Sequence, residues 1–226
     1  MNTVKVFFFG DSVCVGQHIS IHKGWVTRIS SSFSEFSQQH ACQVIVSNAS
    51  ANGRTTRQAL EQMPYEIQNQ HADVLIVQFG MNDCNYWQSD RGVPRVSPKA
   101  FEANLDEIIG RALAVGVKKV CVNTNHPTGR DQQAMPQSTL TYQQSLERYN
   151  QIIRDVSARG GSQVVLNDIE KVFRSYAQGD RARLLDLVFP EPDLLHPSEK
   201  GHELYFNALH PVLRTIVSEL IRGKTG

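Results

Sequence analysis

The sequence predicts a doubly wound α/β fold, in which helices cover both faces of a parallel sheet. Five short apolar runs, rich in β-branched and aromatic residues, predict buried strands at residues 4–9, 43–47, 74–79, 117–123 and 163–167. Their hydrophobicity is continuous rather than alternating, which indicates that both faces of each strand are covered. Segments with helical periodicity lie between these runs, so strands and helices alternate to the end of the chain.

Two of the segments between strands carry an apolar stripe that is typical of an amphipathic helix. The stripe after the third strand consists of Phe101, Leu105, Ile108, Ile109, Ala112 and Leu113. The stripe after the fourth strand consists of Leu146, Tyr149, Ile152, Ile153 and Val156. A last helix is predicted at about residues 198–221, after Pro197, a residue type that suits the first turn of a helix.

Length and charge indicate a single domain, residues 1–226, with a small-molecule partner. The 23 Lys and Arg residues nearly balance the 22 Asp and Glu residues, so the net charge of +1 argues against nucleic acid or an anionic membrane as a partner. The apolar run before Gly10 is too short for a signal peptide, and no stretch approaches the roughly 18 to 20 apolar residues of a membrane span. We therefore expect a soluble cytoplasmic protein.

The four cysteines form no C-x-x-C pair and lack zinc-finger spacing, which predicts reduced thiols. Cys42 and Cys121 lie in apolar runs and are expected in the core. Cys14 and Cys84 follow two segments that carry candidate active-site residues, so a thiol role for them stays open at this point.

Polar residues follow the first two predicted strands. Ser12 comes directly after the first strand, in Gly10-Asp11-Ser12, where a hydroxyl can be exposed at the ligand-binding edge of a parallel sheet. The same tripeptide is also ordinary turn and N-cap chemistry. Gly53 lies in the segment after the second strand and could present its backbone N–H to a ligand, or simply form the turn into the next helix.

Two further segments carry groups that suit acyl transfer. Asn82 follows the third strand, and its side-chain amide can donate to a developing negative charge, although Asn also favours caps and turns. Asp193 precedes His196 by three residues, so its carboxylate can reach the imidazole within one turn and fix its tautomer. The other imidazole nitrogen could then take a proton from a serine.

Together the four segments resemble the SGNH (GDSL-like) hydrolase family. The blocks of this family match here as Gly10-Asp11-Ser12, Gly53, Gly80-Met81-Asn82-Asp83 and Asp193-Leu194-Leu195-His196-Pro197. They occur in the family's order and span nearly the whole chain. Val13 replaces the leucine of the commonest first block, a change that does not touch the chemistry.

The resemblance implies a flavodoxin-like three-layer α/β/α sandwich with a five-stranded parallel sheet. It also implies a serine ester hydrolase in which His196 deprotonates Ser12 and Asp193 orients His196. The oxyanion would be bound by the Ser12 N–H, the Gly53 N–H and the Asn82 side chain. The lipase-type Gly-x-Ser-x-Gly elbow is absent around Ser12, which argues against the ordinary α/β-hydrolase fold.

Two polar insertions, residues 84–98 and residues 126–138, follow the third and fourth strands at the edge where such folds bind ligands. In the first insertion, Tyr86 and Trp87 could stack on a sugar ring, or pack within an ordinary loop. Arg91, together with Arg95 and Arg130, could bind a carboxylate or phosphate of the substrate, or carry solvated surface charge.

A short acyl group such as acetyl, removed from a carbohydrate or small molecule, is the substrate that we expect. The alternatives are a lysophospholipase or thioesterase with a longer acyl chain, a sugar O-acyltransferase, a non-catalytic binding module, and a flavin-binding protein on fold alone. His18 and His22 lack a His-Glu-x-x-His pattern, and neither a P-loop nor a Gly-x-Gly-x-x-Gly motif follows a strand. We therefore expect neither a metal site nor a cofactor.

Overall fold

A computed structural model of the chain describes residues 2–223. Its strands are β1 (Thr3–Gly10), β2 (Gln43–Asn48), β3 (Val74–Gln78), β4 (Lys119–Asn123) and β5 (Val164–Asn167). They form a five-stranded sheet in the order β2-β1-β3-β4-β5, and every neighbouring pair is parallel. This arrangement confirms the predicted doubly wound, flavodoxin-like sheet.

The helices occupy the segments between and after the strands. They are α1 (Ser12–Val15), α2 (Trp25–Gln39), α3 (Thr56–Glu66), α4 (Pro98–Ala114), α5 (Tyr142–Arg159), α6 (Ile169–Ala177), α7 (Arg181–Leu185) and α8 (Glu199–Gly223). Short 3₁₀ helices lie at Ile21–Lys23, Gln68–Gln70, Gln88–Asp90 and Gly161–Gln163. Within residues 2–223, every helix falls short of the length or the apolar character that crossing a bilayer requires.

Helices pack on both faces of the sheet. On one face α2 contacts α8, which lies against β1, and on the other α3, α4 and α5 pack in series. Consecutive side chains of a strand point to opposite faces. Phe8 accordingly meets Trp25 of α2, with ring centroids 5.2 Å apart, whereas Phe9 meets Phe79 at 5.3 Å. Both faces of β1 are therefore covered, as its continuous hydrophobicity predicted.

The apolar stripes predicted for α4 and α5 face the interior, because every stripe residue is buried or packed against the core. Capping boxes begin two helices. Thr55 caps α3 reciprocally with Gln58, and Thr141 caps α5 with Gln144. The capping residue Thr55 lies two residues after Gly53, and α3 begins at the next residue.

The predicted bounds of β4 and α8 were wrong in detail. Val117 lies before β4, in the turn that follows α4, so the strand begins two residues later than predicted. α8 begins at Glu199, and Pro197 lies two residues before it rather than in its first turn. Ser198 is the capping residue instead, because its hydroxyl accepts a hydrogen bond from the Gly201 N–H at 3.3 Å.

Candidate active site

Ser12 lies where β1 passes into α1. Asp11 has an extended backbone and caps α1, since its side chain accepts a 3.0 Å hydrogen bond from the Val13 N–H. The cap holds Ser12 as the first helical residue, and only 7% of the serine surface is exposed. The cap and nucleophile interpretations of this tripeptide are therefore compatible.

Gly10 permits a close approach between β1 and β3. A Cβ atom at this position would lie 2.7 Å from Cys14 Sγ and 2.8 Å from the Gln78 carbonyl oxygen. The second of these contacts is with backbone, which cannot move aside without shifting β3. Because Gly10 has no side chain, β1 can pack closely against β3 at the point where the chain leaves the sheet, two residues before Ser12.

Asp193 closes a short turn onto His196. Its Oδ1 accepts hydrogen bonds from the backbone N–H groups of Leu195 (2.8 Å) and His196 (2.6 Å), and its Oδ2 lies 2.8 Å from His196 Nδ1. Leu194, at φ +51°, reverses the chain between them. His196 Nε2 lies 2.9 Å from Ser12 Oγ. One chain of hydrogen bonds thus joins carboxylate, imidazole and hydroxyl.

The charge of Asp193 fixes the tautomer of this imidazole. Partial burial would raise the pKa of Asp193, but hydrogen bonds from the His196 side chain and from the backbone N–H groups hold it well below its usual range. The carboxylate is therefore ionised at neutral pH and can only accept hydrogen bonds. His196 must carry its proton on Nδ1, which leaves Nε2 free to accept the proton of Ser12.

Gly53 and Asn82 follow β2 and β3, the two strands on either side of β1. Gly53 is exposed and has a φ of +74°, in the left-handed region that favours glycine. Asn82 is half-buried, and its Nδ2 donates a 3.4 Å hydrogen bond to Asp11 Oδ2, beside Ser12. Their role in binding an oxyanion stays a prediction.

Two buried carboxylates hold these loops together. Burial raises the pKa of Asp11 to about 7 and the pKa of Asp83 to about 6. Asp83 Oδ1 accepts hydrogen bonds from the Thr56 N–H (2.9 Å) and hydroxyl (2.5 Å). This contact ties the loop that carries Asn82 to the start of α3, near Gly53. Sequence reasoning assigned Asp83 to the third block without finding this partner.

His126 supports the segment that carries His196, a contact that the sequence analysis missed. Its Nε2 lies 2.8 Å from the Leu195 carbonyl oxygen, and its Nδ1 lies 2.8 Å from the Tyr205 hydroxyl. Burial lowers the pKa of His126 to about 4, so the ring is neutral at neutral pH. Because a carbonyl only accepts, Nε2 donates to Leu195 and Nδ1 accepts from Tyr205.

His18 lies beside Asp193 and His196. Its Nε2 is 3.4 Å from Asp193 Oδ2, and its ring meets His196 edge-on at 5.1 Å between centroids. Ligand atoms of these three residues lie within 4.8 Å of one another, so they form the group among residues 2–223 that could hold a metal ion. Asp193 and His196 already bond to each other, and His196 also bonds to Ser12, so a metal would compete with those bonds.

A cavity of about 420 Å³ lies between the two insertions and the segment before His196. Tyr86 lines it, as does Arg130, whose Nε donates a 2.8 Å hydrogen bond to the carbonyl oxygen of Asp193. The lining is mixed: polar side chains such as Asn85, Gln132 and Glu191 lie beside apolar ones such as Met135 and Leu194.

Trp87 and Arg91 lie outside this lining, unlike Tyr86. Trp87 is 50% exposed, and Arg91 is exposed at the end of the 3₁₀ helix Gln88–Asp90. Of the three predicted substrate-binding residues, Tyr86 thus lines this cavity, whereas Trp87 and Arg91 do not.

All four cysteines are buried and form no disulfide. Burial raises the pKa of the Cys14 and Cys84 thiols well above their usual range. Both are therefore protonated at neutral pH, the form in which a thiol is a poor nucleophile.

The sequence pattern of the GDSL-like lipase/acylhydrolase family matches residues 8–204. An arylesterase of Vibrio mimicus is 28% identical over 123 residues, which cover 54% of this chain and 56% of that protein's length.

Two solved structures share the fold. A structure described as an acetyl xylan esterase superposes with a TM-score of 0.74 at 18% identity, over 92% of this chain and 99% of that one. A lipase/acylhydrolase from Enterococcus faecalis superposes with a TM-score of 0.72 at 22% identity, over 94% of this chain and 96% of that one. At these identities the likeness establishes the architecture alone.

Proposed function

The chain belongs to the GDSL-like lipase/acylhydrolase family, and from that premise we propose that it is a carboxylic ester hydrolase with Ser12 as its nucleophile. One observation carries the proposal: the unbroken chain of hydrogen bonds from Asp193 Oδ2 through His196 to Ser12 Oγ, at 2.8 Å and 2.9 Å. A nucleophile, a base and a group that orients the base are the three parts that covalent acyl transfer needs.

In the proposed first step, His196 Nε2 takes the proton of Ser12 Oγ as this oxygen attacks the acyl carbonyl carbon. Asp193 stays ionised and stabilises the imidazolium that forms. The negative oxygen of the tetrahedral intermediate accepts hydrogen bonds from the Ser12 N–H, the Gly53 N–H and the Asn82 side chain. These donors increase the rate because the negative charge develops only as the bond to Ser12 forms.

The remaining steps return the serine. Collapse of the intermediate expels the alcohol, which takes the proton from His196, and leaves the acyl group as an ester on Ser12. His196 then deprotonates a water molecule that attacks the same carbonyl carbon, and the acid departs as Ser12 regains its proton.

For the substrate, we propose a short acyl group such as acetyl on a carbohydrate or another small polar alcohol. The amide and guanidinium groups among the side chains that line the cavity beside Arg130 support this choice, since they suit an alcohol with several hydroxyls. The description of one structural neighbour as an acetyl xylan esterase agrees with it. A lysophospholipase or thioesterase would instead require an apolar channel for a long acyl chain.

The test is hydrolysis of p-nitrophenyl esters, from acetate to palmitate, by the wild type and by Ser12→Ala. We expect kcat/KM to be highest for the shortest chains and Ser12→Ala to lower turnover by on the order of 10⁴-fold or more. Ser218→Ala, which removes a hydroxyl that bonds only within α8 through the Arg214 carbonyl, is the matched control.

Each other outcome excludes part of the proposal. A preference for long chains would overturn the short-acyl substrate while retaining the esterase. Turnover that requires an added sugar acceptor would indicate an O-acyltransferase. A folded wild type that leaves every ester intact, with or without an acceptor, would overturn the function and favour a non-catalytic binding module.

A further inference from the structure

We propose that Arg95 is a positioning residue for oxyanion binding, because its guanidinium joins the two loops that carry Gly53 and Asn82. The inference rests on the proposed esterase function and adds to it a residue outside the four blocks. Arg95 lies in the first insertion and is half-buried.

A single nitrogen of Arg95 contacts both candidate oxyanion loops. Its Nη1 lies 3.2 Å from the Gly53 carbonyl oxygen and 3.5 Å from Asn82 Oδ1. These two acceptors follow different strands, β2 and β3, and they are 29 positions apart in the sequence. One cation therefore adds a second link between these two loops, beside the contact of Asp83 with Thr56.

The same contact decides which end of the Asn82 amide is a donor toward the substrate. A guanidinium has only donors, so the atom of Asn82 beside Arg95 must be the oxygen. Above its pKa of about 7, the carboxylate of Asp11 has only acceptors, so the atom beside Asp11 Oδ2, at 3.4 Å, must then be the nitrogen. Both neighbours favour one orientation, which leaves the second Nδ2 hydrogen available to an oxyanion.

Without Arg95, the amide could rotate by half a turn and present its oxygen, an acceptor, where the oxyanion forms. An acceptor facing an oxyanion is repulsive, so even a partial population of that rotamer lowers the rate. Both contacts of the Asn82 amide are long, and we therefore expect a partial loss of orientation rather than a complete one.

Arg95 is itself held by its surroundings. Its guanidinium stacks on the Trp87 ring, 4.0 Å from the centroid, and its backbone N–H donates to the Asn85 carbonyl oxygen at 2.9 Å. Asp83 and Asp90 also lie close enough to interact with its charge. This environment favours a structural partner over the substrate carboxylate or phosphate that the sequence left open for Arg95.

The experiment is a double-mutant cycle between Arg95→Ala and Asn82→Ala, measured with a p-nitrophenyl ester at pH 8, above the pKa of Asp11. We expect Arg95→Ala to lower kcat about 10-fold with KM within about 2-fold, a fraction of the roughly 100-fold loss expected for Asn82→Ala. In the Asn82→Ala background the same change should alter kcat by less than about 2-fold. Arg95→Lys, which keeps one cationic donor, should recover part of the loss.

Arg57→Ala is the control, because it removes an exposed arginine from α3, the helix after Gly53. It should leave kcat unchanged. Equal losses from Arg95→Ala in both backgrounds would overturn the inference, and a raised KM with unchanged kcat would make Arg95 a substrate-binding residue instead.

A second measurement does not depend on turnover, so failure of the esterase proposal and failure of this inference are distinguishable. The side-chain N–H₂ signals of Asn82, assigned by their loss in Asn82→Ala, are followed by ¹H–¹⁵N NMR. Arg95→Ala should shift or broaden these signals while Arg57→Ala leaves them in place. Unchanged signals in Arg95→Ala would overturn the positioning role even if the protein hydrolyses no ester.

Discussion

Replacing Asp193 by Asn tests how the imidazole of His196 is oriented, because the change alters one of the three hydrogen bonds that the side chain accepts. Asp193 Oδ1 accepts from two backbone N–H groups and Oδ2 accepts from His196 Nδ1. Asn keeps the first oxygen, and with it the turn, but places an NH₂ group opposite Nδ1. Two donors cannot pair, so the proton moves to Nε2, which then cannot accept the proton of Ser12.

The expected loss follows from the geometry. The same exchange of tautomers in a Ser-His-Asp triad lowers kcat by about 10⁴-fold, which corresponds to about 5.4 kcal/mol of transition-state stabilisation. The expected loss in the free energy of unfolding is smaller than this loss of transition-state stabilisation, because two of the three hydrogen bonds remain. The third is charge-assisted and contributes on the order of 1.5–3 kcal/mol, and at 19% exposure of the Asp193 side chain we expect the lower end.

The assay is kcat for p-nitrophenyl acetate at pH 8, with thermal unfolding followed by circular dichroism on the same samples. Asp193→Asn should stay folded and lose about 10⁴-fold in kcat. Asp193→Ala, which also removes both backbone contacts, should unfold at a lower temperature than Asp193→Asn. A kcat for Asp193→Asn within tenfold of the wild type would refute the tautomer argument.

Three further substitutions test the packing around the site. The pKa of Asp11 is about 7 in the folded protein, against an ordinary value of 3.8. Between these two pH values the folded state binds more protons than the unfolded state. The contribution of Asp11 to the free energy of unfolding therefore falls as pH rises through this window. The Tm of Asp11→Asn minus the Tm of the wild type, measured by calorimetry, should therefore be higher at pH 8 than at pH 5. The same difference at both pH values would contradict the raised pKa. Gly80→Ala would place a Cβ 2.5 Å from Asn125 Nδ2 at φ +126°, and urea unfolding should show a loss of about 2 kcal/mol or more. Gly53→Ala meets no atom within 4 Å and is strained only by its φ of +74°, so its loss should be about 1 kcal/mol; a larger loss than for Gly80→Ala would reverse this reasoning.

The edge of the sheet that carries the site, and the pairing of Asp193 with His196, could be predicted from the sequence because both depend on local patterns. Buried runs locate the strands, and the carboxyl ends of parallel strands meet at one edge, so the proximity of Ser12, Gly53 and Asn82 follows from topology. Asp193 and His196 are three residues apart, so a single turn brings them together.

Contacts between loops were not accessible in the same way. Arg95 reaches Gly53 across 42 positions, and His126 reaches Leu195 across 69. No periodicity encodes such pairs, because the paths of the intervening loops decide them. Composition also failed to predict how the first insertion folds: Tyr86 lines the cavity, whereas its neighbour Trp87 holds Arg95.

The local pairing of acid and base has a consequence for how the site assembles. Closing the turn between Asp193 and His196 orders only a few residues, whereas joining them to Ser12 closes a loop of 184 positions. Acid and base are therefore placed by one short segment, which ends three residues before the start of α8, the helix that lies against β1. Partial detachment of the C-terminal segment removes both partners of the nucleophile at once and leaves β1, with Ser12 at its end, in the remaining sheet.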